Sequence, residues 1–177
     1  MKEDSNTVDF GHARVKRGEK SGLVREVFSE VSETYDLFND IASLGFHRIW
    51  KKYALWLLNL KSGETLLDVA SGSGDLAIKA TELVKPAGTV VMCDINDRML
   101  EHGRNRCLDE GKLIPLVKAN AENLPFVDNS FDKLTIGFGL RNITDKTKAL
   151  NEFKRVLRPG GKALILEFSQ MSDGNPM

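Results

Sequence analysis

Apolar positions along this chain fall into two periods. Leu23, Val24, Val27, Phe28 and Val31 recur at helical spacing, and a second helical pattern runs from about His47 to Leu58, with Ile49, Trp50, Tyr53, Ala54, Leu57 and Leu58 on one side. Gly63 ends it. Short apolar runs then alternate with amphipathic stretches. Strand Thr65–Ala70 leads to a helix through Val84, stopped before Pro86-Ala87-Gly88, and strand Thr89–Asp94 leads to a helix of about Asp97–Glu110, ended at Gly111. Strand Leu113–Lys118 precedes a loop with Pro125 and the turn Asp128-Asn129-Ser130. Strand Asp132–Phe138 leads to a helix near Asp145–Leu157, closed by Arg158-Pro159-Gly160-Gly161, and strand Lys162–Phe168 follows. Such alternation predicts an α/β fold, a Rossmann-like doubly wound parallel sheet covered on both faces and preceded by N-terminal helices. Right-handed crossovers bring every strand's C-terminal end to one edge, where ligands bind.

At 177 residues the chain fits one domain. Residues 1–20 are polar, with a basic cluster at His12, Arg14, Lys16, Arg17 and Lys20, and read as a flexible arm or a plain solvated tail. Residues 21–62 form a helical segment, and 63–177 form the sheet core. Hydrophobic residues make up 41% and charged residues 28%, ordinary for a soluble globular protein. Lys plus Arg equals Asp plus Glu at 25 each, so no global field points to nucleic acid. No apolar run approaches a membrane span, and Glu3 and Asp4 argue against a leader peptide, which makes cytoplasm the expected location. Cys93 and Cys107 lack metal spacing and read as buried thiols, while His12, His47 and His102 have no partner spacing. No metal site is expected.

The segment Leu66-Leu67-Asp68-Val69-Ala70-Ser71-Gly72-Ser73-Gly74-Asp75-Leu76-Ala77 carries the chemistry. It reads as a strand, a glycine turn and a helix, an arrangement that brings backbone N–H groups close to a ligand. Gly72-x-Gly74-x-x-Ala77 also fits a dinucleotide fingerprint. Asp75 argues against one. A carboxylate about 4 Å from a phosphate charge costs on the order of 4 kcal/mol at an effective dielectric near 20. The helix dipole returns only about 0.3–1 kcal/mol. S-adenosylmethionine (SAM) carries an ammonium and a sulfonium and no phosphate, so acidic groups suit it, whereas a solvated, capping Asp75 would decide nothing. Asp94, 20 positions after Gly74, is spaced to accept hydrogen bonds from ribose hydroxyls or to cap the next helix.

With these residues in hand the chain resembles the class I SAM-dependent methyltransferases and, more narrowly, the ubiquinone/menaquinone biosynthesis C-methyltransferases. The family-specific blocks are Tyr35-Asp36-x-x-Asn39-Asp40 and Phe138-Gly139-Leu140-Arg141-Asn142. His47-Arg48-x-Trp50-Lys51, Asn120-Ala121-Glu122-Asn123-Leu124-Pro125-Phe126, Asp128-Asn129-Ser130-Phe131-Asp132 and Arg155-Val156-Leu157-Arg158-Pro159-Gly160-Gly161 extend the match over nearly the whole chain. The resemblance implies SAM as cofactor, held by Asp68, Gly72, Ser73, Gly74, Asp94, Asn120, Ala121 and Gly137. Asn120 would offer its amide to the adenine edge and Ala121 its backbone N–H to a ring nitrogen. Relatives usually place Thr at Ser73, and some place Ser at Gly137. Family members also continue into a further helix and two more strands, so the usual seven-stranded sheet is expected to lack its C-terminal strands here.

The implied reaction is transfer of a methyl group to a ring carbon of a polyprenylated benzoquinol or naphthoquinol. Such chemistry needs near-attack alignment and stabilisation of a phenolate. Arg141 and Asn142 are the expected catalytic pair, with Tyr35 closing over the ring; the structural alternative for Arg141 is a salt bridge with Asp145. Residues 23–58 would supply apolar surface for the prenyl tail, with Lys51 and Lys52 near anionic lipid, although most of these aromatics are expected to pack on the sheet. A homodimer and peripheral membrane contact complete the expected partners. Other acceptors, a SAM-binding fragment without turnover, and an NAD-dependent oxidoreductase stand as alternatives.

Overall fold

The computed structural model describes residues 7–10, 13–16, 18–20, 22–23 and 46–167. Tyr35 and its block, and the helical pattern beyond Leu23, lie outside the described residues. Strands β1 (Thr7–Phe10) and β2 (Ala13–Lys16) pair antiparallel, so the stretch expected to be an arm carries a hairpin. Helix α1 (Phe46–Leu58) precedes the core. Then follow β3 (Thr65–Val69), α2 (Asp75–Val84), β4 (Thr89–Asp94), α3 (Asp97–Asp109), β5 (Leu116–Lys118), β6 (Phe131–Gly137), α4 (Lys146–Val156) and β7 (Leu157–Leu166).

The five core strands lie in the order β5-β4-β3-β6-β7, every neighbouring pair parallel. The chain starts in the middle of the sheet, winds to one side through β4 and β5, and returns to the other through β6 and β7. Such a reversal opens a crevice at the C-terminal ends of β3 and β6, where the winding changes side. Period-two alternation sorts side chains onto two faces. Leu66, Val90 and Met92 pack with Leu55 and Leu58 of α1, Leu76, Ala77 and Ala80 of α2, and Cys107 of α3. Leu67, Val69, Cys93, Leu134 and Ile136 pack on the opposite face with Ala149, Phe153 and Val156 of α4.

Helix starts follow local chemistry. Asn96 caps α3, its side-chain oxygen accepting from the N–H groups of Arg98 and Met99, and Asp145 caps α4 by accepting from Lys148 N–H. Asp94 is therefore not the α3 cap. At the opposite edge from the crevice, Asp132 accepts from Thr65 N–H at 2.8 Å and from Arg158 at 2.7 Å, tying the starts of β3, β6 and β7 together.

Two strand starts and one helix face differ from expectation. β5 begins at Leu116 rather than Leu113, because Pro115 precedes it and Leu113 is left 89% exposed. β7 begins at Leu157, directly after α4. The Arg158-Pro159-Gly160-Gly161 turn is absorbed as an irregularity in its pairing, with Phe131 opposite Leu157 and Lys133 opposite Lys162, and Gly160 at φ +81°. Finally, α1 is rotated from the face its periodicity suggested. It buries Lys51, Ala54, Leu55 and Leu58, whereas Ile49, Trp50, Tyr53, Trp56 and Leu57 are exposed.

Candidate active site

The cleft is built at the ends of β3, β4 and β6. Leaving β3, the backbone turns through Ala70 at φ +50°, Gly72 at +54° and Gly74 at +81°, and enters α2 at Asp75. Leaving β6, it turns through Phe138 at φ +58°. Ala70 and Phe138 hold left-handed conformations that cost a non-glycine residue about 1 kcal/mol or more, and both line the cleft. The turn is clamped from two directions. Gly72 N–H donates to Asp94 Oδ2 at 3.0 Å, and α3 approaches so closely that a Cβ on Gly103 would lie 2.8 Å from the Gly72 carbonyl oxygen.

Asp94, at the tip of β4, also accepts from Asn96 N–H through Oδ1 at 2.9 Å. Burial pushes its pKa up and these backbone donors pull it back. Two amide donors fix the orientation of the carboxylate, and each oxygen keeps a further acceptor site for a diol. Neighbouring Cys93 is pushed up to about 12 by burial and by the carboxylates of Asp94 and Asp68, so its thiol stays protonated.

Asp68 lies one strand in, opposite Thr135 of β6. Thr135 Oγ1 donates to Asp68 Oδ1 at 2.7 Å, while Asp68 Oδ2 is buried without a hydrogen-bond partner. Burial pushes the Asp68 pKa up to about 7, against the opposing pull of Thr135 and Lys51. The hydroxyl of Ser71 is the other buried polar side-chain atom without a partner among the described residues. Both residues line this cleft. Two orphaned oxygens there are a demand for a donor, since buried acceptors are normally satisfied.

Asp75 behaves differently from its sequence reading. It is not an open charge aimed at the ligand. Lys51 Nζ lies 2.8 Å from Oδ2, Arg106 Nη2 lies 2.5 Å from Oδ1, and Lys79 adds a longer contact at 3.4 Å. Burial raises its pKa, but Lys51, Lys79 and Arg106 together hold it well below the usual carboxylate range. Its repulsion toward a diphosphate is therefore largely offset. Lys51 likewise leaves its expected place at a lipid surface: it is buried in the cleft.

The remaining expected residues divide. Gly72, Ser73, Asn120, Ala121, Gly137 and Asn142 all line the cleft, alongside Asp68 and Asp94. Ser73 Oγ accepts from Arg106 Nη1 at 3.1 Å, so its hydroxyl is already engaged on the α3 side. Asn120 Oδ1 accepts from Glu122 N–H at 3.0 Å, which leaves the amide nitrogen as the group on offer. A Cβ on Gly137 would meet Leu76 Cδ1 at 2.9 Å, so the glycine there makes room for α2. Gly74 is absent from the lining; a Cβ there would meet Met92 Cε at 2.9 Å. Arg141 pairs with Glu167 rather than Asp145, lies over the Phe138 ring at 5.9 Å, and is not among the lining residues. Sequence reasoning did not place Lys51, Ser71, Asn96, Glu122 or Thr144 among the cleft residues. A hydroxyl residue directly before Gly72 was a usable signal for Ser71, and Lys51 closes the His47–Lys51 block, although its helical pattern does not mark it as buried.

A second tie reaches the cleft wall. Buried Lys20 donates to the carbonyl oxygens of Arg141 at 3.2 Å and Ile143 at 3.3 Å, gripping the turn that carries Asn142.

Comparison with known proteins agrees with this architecture. A crystal structure of a SAM-dependent methyltransferase from Aquifex aeolicus superposes with a TM-score of 0.64 at 26% identity, covering 71% of this chain and 68% of the other. The ubiquinone/menaquinone biosynthesis C-methyltransferase of Hahella chejuensis is 50% identical over 94% of this chain and 68% of its own length. Its counterpart in Pseudomonas putida is 51% identical over 93% of this chain and 65% of its own. The chain thus spans about two-thirds of the length of these relatives. The family pattern matches residues 14–174, taking in the glycine turn, the Asp94 tip and the Asn142 wall, and the chain belongs to the ubiE/COQ5 methyltransferase family.

Proposed function

We propose that this chain binds SAM in the cleft and transfers its methyl group to a ring carbon of a polyprenylated quinol. The observation that carries the reading is the orphaned pair Asp68 Oδ2 and Ser71 Oγ, buried beside a glycine turn. The Asp68 carboxylate fits an ammonium and would repel a diphosphate, while the Ser71 hydroxyl can accept from the same ammonium. Asp94 supports the same reading, because its fixed carboxylate suits a ribose diol. Asn120 and Ala121 would edge the base. Bound SAM supplies an electrophilic methyl group; the protein's own residues hold, orient and exclude water.

On the acceptor side, Asn142 lines the cleft and would orient a ring hydroxyl. Arg141, its neighbour, is assigned the phenolate-stabilising cation on the strength of the family resemblance. Its pairing with Glu167 keeps the guanidinium fixed beside the wall. Tyr35 is retained as the residue closing over the ring, also by resemblance. The outward aromatic face of α1, with Trp56 at 70% exposure, supports contact with the substrate's prenyl tail.

Calorimetry with SAM, followed by a labelled-methyl assay with polyprenylated benzoquinol and naphthoquinol, tests the proposal. Binding with methyl transfer to either ring supports it. Binding without transfer to any acceptor replaces it with a cofactor-binding role, and binding of NADH without SAM overturns it.

A further inference from the structure

Lys51 is hard to explain as a structural ion pair alone. It is the single Lys or Arg among the described residues lining the cleft, and it arrives from α1, outside the sheet. The residue is 7% exposed. A buried ammonium has three donors and is costly unless they are used. The described contacts use one, to Asp75 Oδ2 at 2.8 Å. Asp75 is also held by Arg106 at 2.5 Å and Lys79 at 3.4 Å, so Lys51 is not its sole counter-charge. A buried cation is thus placed on the cleft with donors to spare, next to a carboxylate that Arg106 already holds. In the same cleft Asp68 presents an unpartnered carboxylate oxygen. A buried cation and a buried carboxyl group with an unsatisfied oxygen in one pocket are complementary to a zwitterion, whose ammonium would draw that carboxyl into its charged form.

We propose that Lys51 receives the α-carboxylate of the cofactor's amino-acid end while Asp68 receives its α-ammonium. The assignment rests on the SAM reading above and extends it: the pocket selects a free amino acid rather than merely a sulfonium. Lys51 would keep its bond to Asp75 and add a charge-assisted bond to the ligand. Because Lys51 belongs to α1, cofactor binding would also fasten that helix, and the aromatic face it carries, to the glycine turn.

The test is binding of two ligands that differ in one group: SAM, and decarboxylated SAM, which keeps the amine and sulfonium and lacks only the α-carboxylate. Calorimetry on the wild-type chain is expected to show decarboxylated SAM weaker by about 10-fold or more, as expected when a hydrogen-bonded charge pair is removed. Lys51→Met should weaken SAM more than decarboxylated SAM, so that most of the discrimination between the two ligands is lost, and Lys51→Arg should restore much of it. Equal wild-type affinity for the two ligands overturns the assignment. So does an equal loss for both in Lys51→Met, which would mark a purely structural role through Asp75. If Lys51→Met does not fold, Lys51→Gln measured with the same two ligands takes its place: a reduced discrimination supports the assignment and an undiminished one overturns it. Failure of the wild-type chain to bind either ligand sinks the SAM reading itself, and this assignment with it; binding of both without discrimination sinks only the role of Lys51.

Discussion

Asp68→Asn isolates the most unusual carboxylate in the molecule. Asp68 is fully buried and its pKa is displaced from 3.8 to about 7. A raised folded-state pKa means that the native protein holds this proton more tightly than the unfolded chain. Its contribution to stability is then complete below about 4 and is lost as pH rises toward 7. At 1.36 kcal/mol per pH unit, the loss across that window is at most about 4 kcal/mol, with water penetration and side-chain relaxation reducing it. Asparagine keeps the Oδ1 acceptor used by Thr135 and cannot titrate. The ligand-free variant should therefore gain stability relative to wild type as pH rises from 4 to 7, by at least about 1 kcal/mol, with a plateau above 7. A constant offset from the new buried amide donor cancels in the pH dependence. Urea unfolding of both proteins at pH 4.5, 6 and 8, read by circular dichroism, measures the difference directly. A variant-minus-wild-type difference that is flat across this range would refute the argument that Asp68 is desolvated without a compensating partner.

Three further outcomes follow from the geometry. Gly103→Val places carbon against Met92 Cε at 2.7 Å and the Gly72 carbonyl at 2.8 Å, and overpacking of this kind costs about 1–3 kcal/mol; thermal unfolding should fall, and SAM affinity should fall further because the glycine turn is displaced. Arg155 donates to the carbonyls of Phe126 at 2.6 Å and Leu124 at 2.9 Å and to Glu152. Arg155→Met should destabilise by about 1–3 kcal/mol and speed amide exchange at Leu124, whose N–H bonds to Glu152, whereas unchanged exchange there would count against the tie. Trp56→Ser, at a site 70% exposed, should change stability by less than about 0.5 kcal/mol, and a larger loss by urea unfolding would show that the aromatic face is packed after all.

Much of the core was legible because local and global signals agree. The run Leu66–Ala77 combines a strand, a positive-φ turn and a helix start in consecutive residues, and Asp94 stands where the next strand must end. Features that depend on distant partners were not legible. Lys51 sits on the buried side of α1 because Asp75, 24 positions later, neutralises it, and hydrophobic periodicity scores a lysine as solvent-facing. The same blindness made Asp75 look like an open charge. Ser73 came from the family resemblance, and its engagement by Arg106 of α3 depends on a partner 33 positions away that the sequence does not reveal, as does the unpartnered hydroxyl of Ser71 in the same cleft. Arg141 found Glu167, beyond the last strand, rather than the nearer Asp145. The start of β7 was misplaced because Pro159 and paired glycines ordinarily end an element, whereas here an irregular pairing with β6 accommodates them.

The grip of Lys20 on the turn at Arg141 and Ile143 joins residues 121 and 123 positions apart. A ribosome must therefore deliver most of the polypeptide before this flank of the pocket can be sealed, long after the glycine turn has been made. Contacts of such long range are entropically the dearest to close and belong late in assembly. The glycine-turn wall and the Asn142 wall of the cleft would accordingly mature at different moments in the life of a nascent chain.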